Sequence, residues 1–94
     1  MKTEEEVLNL NDPWQSFWYC FDNQKTANIK AHEKVIIDSK NIHYAYTFAA
    51  DIENSNKELL FELVLESKDV DYIKAFYNYI DFDKTKYETL MLFI

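Results

Sequence analysis

Apolar residues recur along this chain at helical spacing, and the pattern repeats. Tyr44, Phe48 and Ile52 stand four apart, and Tyr72, Phe76 and Ile80 repeat them 28 positions later. Residues four apart share one face of an α-helix, so each set reads as the inward stripe of an amphipathic helix. A second apolar group follows at constant distance: Val35-Ile36-Ile37, Leu63-Val64-Leu65 and Met91-Leu92-Phe93. Written in blocks of 28, the chain aligns with itself three times, as 11–38, 39–66 and 67–94. Each block reads as two helices joined by a short loop. A fixed period of this size marks a stacked-repeat architecture, in which no unit can bury its apolar face alone.

The first block is degenerate. In strict register Ser16, Cys20 and Gln24 take the stripe positions, whereas a one-residue slip brings in Phe17 and Phe21, which predicts a deletion near 22–25. In the middle block Leu59, Leu60, Phe61, Leu63, Val64 and Leu65 make the second helix apolar nearly all round, as a unit covered on both sides requires. At the positions of Leu60 and Phe61 the first block has His32 and Glu33, and the third has Glu88 and Thr89. Those polar residues predict end units with one wet face.

Helix ends can be placed by their capping chemistry. Thr3 with Glu6 is a capping box and predicts a leading helix over about 3–10. Asp12 is an N-cap with Pro13 at the first helical position. Ser55 with Glu58 predicts the start of the middle block's second helix, and Ser39 and Ser67 are further N-cap candidates. The chain has no glycine, so Asn23 and Asn54 are the expected left-handed turn residues. The fold class predicted is all-α. One domain over 1–94 forms a right-handed, α-solenoid-like stack of three helix-turn-helix repeats behind a short N-terminal helix (1–10).

The words SKNIHYAYTFAADI and SKDVDYIKAFYNYI resemble the short, HEAT-like α-helical hairpin repeats of uncharacterised bacterial and viral proteins. Such repeats read Ser-Lys-Asp-x-x-Tyr, then Phe-Ala, then an aliphatic second helix. The resemblance covers 39–94 well and 11–38 poorly. It implies an α-solenoid and carries no catalytic residues with it.

Composition narrows the partners. The net charge is −7 with a pI near 4.7, which disfavours binding to nucleic-acid phosphates or anionic membranes. An apolar fraction of 48 % is ample for folding despite that charge. The opening MKTEEEVLNL lacks the apolar core of a signal peptide, and no apolar run is long enough to span a bilayer. The lone Cys20 can form no internal disulfide, so a cytoplasmic location is expected. The absence of Gly and Arg, with abundant Lys, Asn, Ile, Phe and Tyr, is the signature of AT-rich codons and points to an AT-rich bacterium, its phage or a large virus.

Motifs that tempt toward chemistry are weak. Asp81-Phe82-Asp83-Lys84-Thr85 matches the nucleophile motif of dehalogenase-like phosphatases, but only nine residues follow it and no buried strand precedes it. A hairpin turn with Asp83 as cap is the better reading. Asp69 and Asp71 fit the first turn of a helix, where the dipole favours acids. His32 and His43 lack metal-ligand spacing, and Cys20 reads as a small core residue. No catalytic residue, metal or cofactor is expected, nor an enzyme.

Glu58, Glu62 and Glu66 line one helix face. They form either a row of carboxylates aimed at a basic groove on a partner, or an inter-repeat ion-pair ladder. In the ladder Lys30 and Lys86 flank Glu58 and Lys34 reaches Glu62. Trp14 and Trp18, with Phe17 and Tyr19, are a second candidate contact patch. The apolar terminus Leu90, Met91, Leu92, Phe93 and Ile94 is a candidate oligomer edge that would pair two copies into a homodimer. The leading expectation is a non-enzymatic protein-binding module. A small acidic phage-type inhibitor of a nucleic-acid-handling enzyme, such as a CRISPR effector, is the specific form. The alternative is a structural, oligomerising repeat protein.

Overall fold

The computed structural model describes residues 2–94, and among them every regular element is helical. The order is α1 (Glu4–Leu10), α2 (Pro13–Asp22), α3 (Ile29–Ser39), α4 (Ile42–Asp51), α5 (Lys57–Ser67) and α6 (Val70–Tyr79), followed by a 3-10 turn (Thr85–Tyr87) that runs into α7 (Glu88–Met91). The all-α stack expected from the periodicity is the fold observed. Each helix packs chiefly on its chain neighbours, and α2, α4 and α6 stack in series. The helices α3 and α5 make no extended contact with each other. The molecule is elongated, 46 × 22 × 16 Å.

The period is visible in the helix bounds. α4 and α6 start at Ile42 and Val70, and α3 and α5 at Ile29 and Lys57, 28 positions apart in both cases. Their caps recur too. Asn28 and Asn56 each accept the N–H three residues on, and Lys40 and Lys68 each take the left-handed conformation. The central core follows: Phe48, Ile52, Leu60, Phe61, Val64 and Phe76 are all fully buried. Phe61 sits in an aromatic cage, 5.2 Å from Phe76, 5.1 Å from Phe82 and 4.8 Å from Tyr87.

Several expected details differ. α2 starts at Pro13, 29 positions before α4, with caps Asp12 and Asn23 opposite Asn41 and Ile52. The first hairpin therefore carries one extra loop residue rather than a deletion near 22–25. The residue at the Phe48 position is Tyr19, while Phe21 is turned outward. Gln24 lies in the longer loop and clasps the next layer: its amide donates to the Asp51 carbonyl (3.0 Å) and accepts from Glu53 N–H (3.0 Å).

The N-caps fall one or two residues beyond the serines. Asn41, Asn56 and Asp69 cap α4, α5 and α6. Ser39 and Ser67 instead close the preceding helices, donating to Ile36 and Val64 carbonyls and accepting from Asn41 and Asp69 N–H. Left-handed residues are Asn11, Lys40 and Lys68, not Asn23 or Asn54. The reason is the tight turn between helices. A single left-handed residue reverses the chain, and the Asx acceptor must follow it at once.

The last hairpin is the most altered. Position 84, which corresponds to the Asn28 and Asn56 caps, is a lysine with no side-chain acceptor, and no cap bond forms there. The second helix opens as 3-10 and ends at Met91. Val35, Ile36, Leu63 and Val64 are buried as the triplet pattern expects, whereas Leu92 and Phe93 are exposed.

Candidate functional site

His32 and Glu33, expected on a wet face, are both buried. They hold the same register as Leu60 and Phe61; α1 meets His32 through Glu4, whereas Glu33 turns to Asn56 at the start of α5. α1 occupies the place of an extra second helix ahead of the first hairpin, touching both α2 and α3. His32 Nε2 lies 2.9 Å from Glu4 Oε2, and its Nδ1 lies 3.0 Å from Ser16 Oγ. The carboxylate can only accept, so Nε2–H donates to it, and Nδ1 pairs with the Ser16 hydroxyl. Tyr19 stacks on the imidazole at 5.2 Å. Glu4 Oε2 also accepts Asn28 N–H at 2.7 Å, so one carboxylate satisfies a buried histidine and caps α3.

The connectivity Ser16–His32–Glu4 imitates a nucleophile, base and orienting acid. Ser16 and His32 are wholly buried, however, and a nucleophile must reach its substrate. The trio is a buried polar network that fastens α1. Cys20 is equally inaccessible. Burial, reinforced by the charges of Glu4 and Glu33, pushes its thiol up to about 12.

Glu33 repeats Glu4's action one layer on, accepting Asn56 N–H at 2.6 Å. Burial raises its carboxyl above the ordinary value, against the opposing pull of the Asn56 bond, Lys57 and Lys30. Lys57 donates to the Ile52 and Glu53 carbonyls and to Ser55 Oγ at 3.0–3.2 Å, closing the end of α4, and burial lowers its pKa. Where α3 and α5 lack extended contact, an open groove of about 740 Å³ separates them. Ile29, Glu33 and Ile37, four apart on α3, face it with Leu59 of α5, and Lys30 and Lys34 line its edge.

On α2, Trp14, Trp18 and Phe21 stand 48 %, 40 % and 43 % exposed. They interlock edge-on, Trp14–Trp18 at 5.5 Å and Trp18–Phe21 at 5.4 Å. Trp14 also meets Tyr44 at 6.0 Å. A smaller hollow of about 320 Å³ lies beside His43 and Tyr72, whose hydroxyl sits 3.2 Å from His43 Nδ1.

The acidic stripe is partly ladder. Lys86 Nζ lies 3.2 Å from Glu58 and 3.5 Å from Glu62, and Lys40 lies 3.9 Å from Glu66. The hydrogen bond to Glu58 raises the Lys86 pKa. Lys34 does not reach Glu62; it pairs with Asp38 of its own helix at 2.7 Å. Lys30 makes no ion pair among the described residues. The groove explains both. The ladder assumed closely packed neighbouring helices, and α3 and α5 make no extended contact. At the C-terminus Leu90 is partly exposed, Leu92 and Phe93 are 80 % and 83 % exposed, and Ile94 packs back on the core.

In the Asp81–Thr85 segment, Asp83 Oδ1 accepts Thr85 N–H at 3.1 Å, a local turn bond that also lowers the Asp83 pKa. No cluster of three or more metal-binding side chains occurs among the described residues, and no helix there is long and apolar enough to cross a membrane. Comparison of the chain with protein-family models, with curated proteins and with solved structures returns no match.

The buried polar pair was partly foreshadowed. Two polar residues at the register of Leu60 and Phe61 must find partners if that register is core. Glu4, outside the period, carried no such signal.

Proposed function

We propose that this chain is a non-enzymatic protein-binding module. The observation that carries the reading is the interlocked Trp14–Trp18–Phe21 surface. Two tryptophans and a phenylalanine left nearly half exposed hold apolar area available for a partner, and their edge-on packing limits the conformational entropy lost on docking. The acidic skin selects the partner's sign. Net charge −7 favours a basic protein surface, including the groove of a nucleic-acid-handling enzyme, over the nucleic acid itself. An inhibitor that fills such a groove, as an anti-CRISPR-like protein would, is the specific form of this proposal. Glu58 and Glu62 share one lysine and Glu66 faces another only loosely, so the stripe retains excess negative charge.

Capture from a lysate of the natural host tests this, with wild type, Trp14→Ala/Trp18→Ala and Glu58→Lys/Glu62→Lys compared by quantitative mass spectrometry. Removing a hot-spot aromatic costs about 2 kcal/mol or more, so the partner's yield should fall at least tenfold with the tryptophan variant while circular dichroism stays helical. Equal capture by that variant would refute the aromatic patch. A second reading, an oligomerising repeat protein, is favoured by the exposed Leu92 and Phe93. Sedimentation equilibrium decides it: a monomer at all concentrations removes it.

A further inference from the structure

We propose that the groove between α3 and α5 binds an amphipathic helix of a partner protein, one whose apolar ridge is flanked by acidic residues. This rests on the binding-module reading but uses a different face from the tryptophan patch. The apolar floor has helical spacing: Ile29 and Ile37 lie eight residues, or about 12 Å, apart along α3, with Leu59 opposite. That length matches roughly two turns of an incoming helix with apolar side chains at i, i+3 or i+4, and i+7.

Helical side-chain surfaces line most of this groove. An extended peptide would bring unpaired backbone groups against a largely apolar floor, whereas a helix satisfies its own. Glu33 offers one polar contact at the floor. Its Oε2 is held by Asn56 N–H, its Oε1 makes no hydrogen bond among the described residues, and no buried side-chain oxygen there is left unsatisfied, so Oε1 opens to the groove. A hydroxyl or amide donor on the incoming helix would fit it.

The edge supplies the sign. Lys30 makes no direct ion pair among the described residues, its charge being felt by Glu33 at the groove floor, and Lys34 has only the exposed contact with Asp38. The glutamates of α5 that could have neutralised them are drawn to Lys86 instead. The groove thus carries a basic border on a protein of charge −7, and acidic flanks are the complement.

The test uses two fluorescein-labelled synthetic helices of about 15 residues with the same leucine ridge, one with glutamate flanks and one with lysine flanks. Fluorescence anisotropy and amide chemical-shift mapping are read on the full chain. The glutamate peptide should bind about threefold to tenfold tighter at low salt, with the gap closing as salt rises. Amide shifts should centre on α3 and Leu59. Lys30→Glu/Lys34→Glu should invert the preference, and Leu59→Asp, at a part-exposed site, should abolish both complexes while helicity is retained. The proposal is overturned if neither peptide binds, if both bind alike, if the preference survives the lysine reversal, or if the shifts fall on Trp14 and Trp18. It is overturned equally if sedimentation shows a second copy of the chain protected at this face. Host-lysate capture can succeed while this peptide test fails, so the two proposals fall separately.

Discussion

Replacing Glu4 by alanine tests the buried network directly. The substitution removes the acceptor from His32 Nε2 and from Asn28 N–H together. A buried donor left without a partner costs about 1–3 kcal/mol, and losing a bond from an exposed amide adds about 0.5–1.5 kcal/mol. Glu4 is itself part exposed, so water can enter the vacated site, which sets the lower end. The expected loss is about 1.5–4.5 kcal/mol, against a total near 5–14 kcal/mol for a chain of this length. The midpoint of thermal unfolding should fall by roughly 8–25 °C. The control is His32→Leu with Ser16→Ala. It removes both ends of one hydrogen bond, leaves Glu4 free to keep Asn28, and places leucine where the next layer has Leu60. That pair should lie within about 1 kcal/mol of wild type, since deleting matched polar groups strands no donor. Urea unfolding followed by tryptophan fluorescence and circular dichroism measures both. A loss below about 0.5 kcal/mol for Glu4→Ala, or equal losses for the two variants, would refute the network as the fastening of α1.

Glu33→Gln keeps an acceptor for Asn56 N–H but cannot ionise. Because burial raises the Glu33 carboxyl above 4.5, the native state holds that proton more tightly than the unfolded chain, and wild-type stability falls as pH rises through the folded pKa. The variant should match wild type at low pH and exceed it above that window; a variant less stable at neutral pH contradicts this. Cys20, raised to about 12, should resist thiol reagents at pH 8 in the native protein and react promptly in urea; rapid stoichiometric native labelling would contradict its burial. Lys40→Gly and Lys68→Gly relieve left-handed backbone at φ 58° and 61°. Each should add about 0.5–1 kcal/mol, read by thermal melts, and destabilisation by either would show that the lysine stems make compensating contacts.

Periodicity alone located the stacking helices. The stripes Tyr44–Phe48–Ile52 and Tyr72–Phe76–Ile80 needed only a helical period, because a side chain's face on a helix follows from its number. The all-α class and the burial of Val35, Ile36, Leu63 and Val64 were legible for the same reason. Lys86 beside Glu58 could also be anticipated from register, whereas Trp14 and Trp18 were candidates by residue type alone. Thr3 and Asp12 cap α1 and α2 as read, but the caps of α4, α5 and α6 fall one or two residues beyond Ser39, Ser55 and Ser67, since several Ser, Asn and Asp lie near those helix ends and sequence does not say which one the turn selects.

Tertiary structure decided the rest. Whether His32 faced water depended on α1, which lies outside the repeat and returns Glu4 across 28 positions to meet it, and Glu33 found its partner in the Asn56 N–H of the next layer. Whether Lys34 met Glu62 depended on how closely α3 and α5 pack, an interhelical distance that side-chain spacing along one helix does not encode. Local pattern fixes which face of a helix is apolar; only the packing of whole helices determines what that face meets, and hence where a groove, a buried ion pair or an exposed patch is left.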